Sequence, residues 1–180
     1  AVAIALPVAT HLSKTIGKKG ILRISFSLQF LHVVTAWFLI SPNHPYLQVV
    51  AYSIGAVANM TFYLMLHSMT SDICDEDEWK NGTRREGMYG AVITWTQKLC
   101  VSIAVALVGV VLLLVGFDQT EGALQSSQTA LSLRLIYCGI FLTIGIIGLA
   151  LLPRYSLTEE KVLSIQTDLK TRRKQTDEAL

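Results

Sequence analysis

Residues 70–100 read TSDICDEDEWKNGTRREGMYGAVITWTQKLC. The first half sets six carboxylates (Asp72, Asp75, Glu76, Asp77, Glu78 and Glu86) beside three cations, Lys80, Arg84 and Arg85. Exposed ion pairs of this kind are individually weak, so such a cluster suits contacts that form and separate easily. It also suits a solvated stretch that only sets topology. The second half is apolar, and from Met88 to Phe117 its one formal charge is Lys98. If a helix starts near Met88, Lys98 stands about 15 Å along it, close to the middle of a ~30 Å hydrocarbon layer. Holding an ammonium there costs at least about 2.5–3.5 kcal/mol. Two readings stand: the lysine lines a polar passage, or the helix is shifted and the side chain snorkels to the surface. Thr94, one turn below on the same face, and Gln97 beside it favour the passage. On the preceding apolar segment, Asn59 lies near mid-membrane and Tyr63 one helical turn further in.

Hydrolytic or metal chemistry finds no comparable constellation. His67 and Ser68 are adjacent in sequence and so point apart on a helix, and no other nucleophile–base pair converges. His11, His32, His44 and His67 lack ligand spacing, and a hydrogen-bonded helix histidine is the expectation for His67. Cys74, Cys100 and Cys138 show no paired spacing and read as small core residues. The chemistry points to no enzyme, no cofactor, no metal and no nucleic-acid partner.

The elements that must position these residues are membrane helices. The chain is 52% hydrophobic and 16% charged, with a mean hydropathy of +0.48, more apolar than a water-soluble domain. Uncharged runs of spanning length place transmembrane helices at 21–41, 46–70, 87–117 and 131–153, with SPNHP (41–45) as the turn between the first two. Residues 1–11 are too short to cross and read as the end of another helix, and the chain reads as the C-terminal part of a longer protein. Lysine and arginine recur in alternate connections: 12–20 is a basic loop, 71–86 a charged loop, 118–130 has none, and the tail 154–180 is basic again. By the positive-inside rule, 12–20, 71–86 and the tail lie in the cytoplasm and 118–130 faces outward. Arg23 can snorkel to the inner surface and Trp37 marks the outer one. Gly55, Ala56, Ala58 and Asn59, and likewise Gly139, Gly145 and Gly148, have the spacing of close helix contacts. In the tail, Ser156 and Glu159 suit a capping box. Val162, Ile165 and Leu169 form an apolar stripe, so the tail is expected to be an amphipathic helix on the cytoplasmic face.

SDICDEDEWKNGTRREGMYGAVITWTQKL resembles the cytoplasmic loop and following helix of the glycoside–pentoside–hexuronide:cation symporters, the melibiose-carrier-like branch of the major facilitator superfamily. Asp72, Asp75, Gly82, Arg84, Arg85, Glu86, Gly87 and Lys98 match that pattern in order. HLSKTIGKKG resembles the family's basic turn between its eighth and ninth helices, and RYSLTEEKVLSIQTDLKTRR its tail. The resemblance implies an all-α membrane protein, the C-terminal helix bundle of a major-facilitator-type transporter, with four complete transmembrane helices plus the end of a fifth. It implies symport of a sugar or glycoside with Na+ or H+ by alternating access, in a bacterial cytoplasmic membrane, with the C-terminus cytoplasmic. The expected partners are substrate, coupling cation, lipid bilayer and an N-terminal helix bundle of the same protein, where the family's cation-binding acids reside. By the same likeness Lys98 sits between cation and sugar sites, and Thr94 and Tyr63 face the sugar. Asp72 and Arg84, with Asp75 and Arg85, belong to a cytoplasmic gate. Glu76, Asp77 and Glu78 make the turn more acidic than the family's. A related facilitator for lysophospholipids shares the fold and the helix lysine, and a non-transporting membrane scaffold is the reading in which Lys98→Leu would change nothing.

Overall fold

The computed structural model describes residues 2–40, 45–118 and 126–178. Residues 41–44, which hold most of the expected turn and His44, lie outside the described residues, as do 119–125 of the outward connection. Among the described residues all regular structure is helical. The helices are α1 (Val2–Leu39), α2 (Gln48–Asn81), α3 (Glu86–Leu114), α4 (Ser127–Leu151) and α5 (Glu159–Glu178). A short 3₁₀ turn, Pro45–Leu47, precedes α2 and another, Leu152–Arg154, follows α4.

Four of these are long and apolar enough to cross a membrane: Thr15–Leu39 of α1, then Gln48–Asn81, Glu86–Leu114 and Ser127–Arg154. Their order alternates in direction. Lys18 at the start of the first span meets Asp72 near the end of the second, and Tyr155, just beyond α4, also reaches Asp72. At the opposite end an Arg134 guanidinium donates to the Ile40 carbonyl, and the Thr129 hydroxyl donates to the Val115 carbonyl at 3.3 Å. One end of the bundle thus gathers the charges.

Two segments expected as loops are largely helical. The basic stretch 12–20 is helix on both sides of a single break at Gly17, whose φ of 78° and ψ of 161° interrupt α1. An L side chain rarely adopts that backbone, so glycine supplies the bend. The charged stretch 71–86 is helix as far as Asn81, and only 82–85 form the turn, with Gly82 at φ 69° capping α2 through its N–H on the Glu78 carbonyl at 2.8 Å. Hydropathy marks where the membrane ends, not where the helix does: Glu and Lys are good helix formers, and Glu76–Lys80 (3.0 Å) and Asp77–Asn81 (2.7 Å) support the extra turns at i,i+4. At about 51 Å, α2 outruns a ~30 Å hydrocarbon layer. α3 closes in a Schellman pattern, with Gly116 at φ 68° and the Phe117 N–H on the Leu112 carbonyl at 3.0 Å.

α1 packs against both α2 and α4. Lipid is as apolar as leucine, so close fit and interhelical hydrogen bonds must hold such contacts together. Ala51, Ala58, Thr61, Met65 and Asp72 form the buried stripe of α2. Ser25 donates to the Ala58 carbonyl across the seam at 2.7 Å. Ile21, Leu22, Met65 and Leu152 form the core near the charged end. Of the small residues expected at contacts, Gly55 and Ala58 face α1, whereas Ala56 and Asn59 are not buried. Gly145 and Gly148 lie against Phe30 and Phe26, but Gly139 borders open space. α3 has no buried residue.

α5 lies on the charged end of α2 rather than on its own at the bundle face. Leu157, Ile165 and Leu169 pack with Trp79, Tyr155 and Val162. The capping box expected of Ser156 and Glu159 is not made. Helix α5 begins at Glu159, the Thr158 hydroxyl accepts the Lys161 N–H at 3.4 Å, and Glu159 turns to α1.

Candidate functional site

The charged end is built around Asp72. It occupies the buried stripe of α2 seven residues beyond Met65, and its side chain is 3% exposed. A carboxylate taken out of water needs a partner, and Lys18 supplies it, with Nζ at 2.6 and 2.7 Å from the two oxygens. The same ammonium donates to the Ser68 carbonyl at 3.5 Å. The Tyr155 hydroxyl donates to Asp72 at 3.4 Å. Burial, and then the negative charge and hydrogen bond of Asp72, push the Tyr155 phenol well above its ordinary range, so it stays a donor. Below this, the break at Gly17 leaves the Lys18 N–H as a fresh helix-start donor, which Glu159 accepts at 3.1 Å. A built Cβ on Gly17 would lie 3.0 Å from that carboxylate, a second reason for glycine there. Lys18, Asp72, Tyr155, Glu159 and Gln166 help line a cleft of about 530 Å³.

A second tier of ion pairs surrounds this core. Arg84 reaches Glu86 (2.9 Å), Glu78 (3.1 Å) and Asp75 (3.7 Å), and Arg85 grips Asp77 with two hydrogen bonds of 2.8 and 2.9 Å. The hydrogen bond and charge of Glu86 raise the Arg84 pKa further. Arg84 therefore binds Asp75 and not Asp72. The tail supplies Arg173 to Glu78 (2.7 Å), Lys161 to Glu76 (2.7 Å) and Gln166 to Asp75 (3.1 Å).

The membrane candidates are not gathered into one site by the described residues. Lys98 lies on α3 about 18 Å from the helix start, exposed and without an ion pair to any described residue. Thr94 is exposed, and Gln97 is half-buried with an enclosed Nε2 that has no hydrogen-bond partner among the described residues. Asn59 and Tyr63 stand on the open side of α2, the Tyr63 ring edge-on to Phe62 at 5.9 Å. None of these residues lines the cleft at the charged end.

A profile of the MFS/sugar transport protein family matches residues 1–159. The chain belongs to that family. It is also 27% identical over 161 residues to an uncharacterized symporter, YjmB, of Bacillus subtilis (strain 168), an alignment covering 88% of this chain and 34% of the relative. The chain thus spans about a third of that relative's length. No solved structure matches it.

Within this MFS/sugar transport chain, the residues that sequence reasoning missed are those whose partners are distant. Lys18 counted only as a topogenic charge, and Tyr155 only as part of a tail motif. A signal for their pairing existed: Asp72 continues the Ala58–Thr61–Met65 stripe, and an acid on a packed face requires a donor. His32 gave none. It is buried, its Nδ1–H donates to the Ala51 carbonyl at 2.7 Å, and its Nε2 accepts from the Tyr137 hydroxyl at 2.8 Å, tying α1, α2 and α4 together. Gly55 clears room for the ring, since a built Cβ would lie 2.8 Å from Nδ1. Arg134, one turn before Tyr137, stands over the Trp37 ring at 5.7 Å. His67 is exposed and makes no side-chain hydrogen bond to a described residue, unlike the bonded helix histidine expected there.

Proposed function

We propose that this chain is the C-terminal helix bundle of a cation-coupled symporter that carries a sugar or glycoside by alternating access, in the melibiose-carrier-like branch of its family. The supporting observation is Lys98, an ammonium on a helix of membrane length with no described partner. An intramembrane cation normally faces a carboxylate or a watered path. The open surfaces of α2 and α3, carrying Asn59, Tyr63, Thr94, Gln97 and Lys98, are where this bundle would face an N-terminal one across the substrate route. There Lys98 would be neutralised by that bundle's acids, so that cation and sugar strengthen each other's binding. The pairs of Asp75, Arg84 and Arg85, being exposed, suit a gate that opens and closes on each cycle. Asp72 with Lys18 gives that gate a fixed base. Family membership and the name of the Bacillus relative, an uncharacterized symporter, support the same reading. The basic end lies in the cytoplasm by the positive-inside rule, and the membrane is a bacterial cytoplasmic one.

The test is uptake of a panel of labelled sugars and glycosides by the full-length protein in vesicles, with a Na+ gradient, with a proton gradient and with neither. Gradient-driven accumulation of at least one sugar is the expected result. Uptake of lysophospholipids with no sugar accumulated overturns the substrate, and uptake indifferent to both gradients overturns the coupling.

A further inference from the structure

At the charged end Lys18, Lys80, Arg84, Arg85, Lys161 and Arg173 each hold a carboxylate. Lys19, Arg23 and Arg154 form no ion pair with any described residue; Lys19 and Arg23 lie on α1, and Arg154 ends the 3₁₀ turn that follows α4. Lys19 and Arg23 are one turn apart on α1. The Lys19 ammonium lies over the Tyr155 ring, 5.5 Å from its centre, and Arg154 precedes that tyrosine. Contact of Leu152 with the Ile21–Leu22 core fixes the end of α4 at this level of α1. Lys170 and Lys174 lack ion pairs too, but they are exposed on polar α5, away from the spans.

We propose that Lys19, Arg23 and Arg154 seat the phosphate of an anionic phospholipid at the membrane boundary, in the notch between α1 and the end of α4. The occupant follows from position. Arg23 is exposed and lies within the span Thr15–Leu39, beside exposed Ile24. Leu151, half-exposed, flanks Arg154 on the other wall. A guanidinium there meets lipid, and its long stem lets it rise along apolar surface to headgroup depth. Acyl chains fit the Ile24 and Leu151 walls, while the phosphate meets Arg23 and Arg154, which pair with no acid among the described residues, and Lys19, which also borders the cleft under α5. Basic notches between membrane helices on the lysine-rich side are built for such headgroups. Each surface cation contributes about a fivefold gain for anionic lipid, so the trio predicts a preference of at least tenfold. The proposal needs only that the chain spans a bilayer and stands apart from the transport reading.

The experiment is native mass spectrometry of the full-length protein, stripped of lipid in neutral detergent and titrated with phosphatidylglycerol or with phosphatidylcholine of the same acyl chains. Wild type should retain one phosphatidylglycerol at least tenfold more tightly. The triple variant Lys19→Gln/Arg23→Gln/Arg154→Gln should lose that preference, and Arg23→Lys should keep it. If the triple variant is not recovered folded, Arg23→Gln and Arg154→Gln, each at an exposed side chain, must each weaken the preference severalfold. An unchanged preference in these variants, or none in wild type, overturns the proposal. Displacement of the lipid by excess inorganic phosphate overturns the assignment to lipid.

Discussion

Lys18 and Asp72, 54 residues apart, meet at 2.6 Å with the carboxylate buried and the ammonium about a quarter exposed. The pair fastens the start of the first span to the end of the second. Breaking one half of a buried pair strands the other charge, and the cost is far larger than the net worth of the pair. Asp72→Asn should therefore lower the stability of the purified protein by roughly 2–4 kcal/mol, read as a drop in thermal midpoint. The apolar double variant Lys18→Met/Asp72→Leu should recover most of that loss. If the double variant is as unstable as the single, the pair is not the unit argued here.

The α1–α4 seam predicts opposite fates for two glycines on one helix. A Cβ on Gly148 would collide with the tip of the Phe26 ring, whereas at Gly139 it meets nothing within 4 Å. Gly148→Ala should cost about 1–3 kcal/mol and be relieved by Phe26→Leu. Gly139→Ala should be neutral or slightly stabilising, since alanine is the better helix former. Thermal midpoints of the three variants decide it.

His32 and Tyr137 predict a coupling. The Ala51 carbonyl can only accept, so Nδ1 carries the imidazole hydrogen and Nε2 is free to take the Tyr137 hydroxyl at 2.8 Å. In a double-mutant cycle of His32→Phe and Tyr137→Phe, the two losses should fall short of additive by about 0.5–1.5 kcal/mol. Additive losses would mean that the hydroxyl contributes nothing through the imidazole.

How much of this was legible in the sequence depended on whether the signal was local. Spanning length and K/R alternation are summed along the chain, so hydropathy marks four spans of membrane length and the charges mark one end. Element ends were harder, because charge was taken as loop: Asp75–Lys80 continues α2, with Glu76 and Lys80 paired at i,i+4, and this end of α2 receives α5. Partners across the charged end were not legible, because they depend on which face packs. Asp72 faces inward along the buried stripe, where Lys18 and Tyr155 reach it across the helix seam, while Arg84 holds Glu86, Glu78 and Asp75. The membrane candidates were placed on their helices by spacing alone, and the surface that would join them lies beyond this chain's own packing.

The tail predicts a contrast between greasy and ionic anchors. Ile165 and Leu169 are buried against the end of α2, while Arg173 and Lys161 hold their acids from exposed positions. Leu169→Ala should loosen α5 by about 2–3 kcal/mol, seen as rapid proteolysis of the tail in the otherwise folded protein. Arg173→Ala should change the cleavage rate little at physiological salt, because an exposed pair is worth less than about 1 kcal/mol. The reverse ranking would show that charge rather than burial docks the helix.

Lys98 predicts a split between abundance and activity. Replacing an ammonium some 18 Å along a membrane helix by leucine removes an insertion penalty of about 2.5–3.5 kcal/mol. Lys98→Leu should therefore reach the membrane at least as abundantly as wild type and be no less heat-stable. On the symport proposed above, its gradient-driven uptake should nonetheless fall to background, because the charge that would answer an opposing bundle is gone. Lys98→Arg keeps the charge but presents a wider planar head, so substrate should still bind while transport slows. Only the combination of normal abundance and lost uptake assigns the lysine to the route. Low abundance with normal uptake per molecule would make it a folding determinant, and wild-type behaviour in both would leave it a side chain snorkelling to the headgroups.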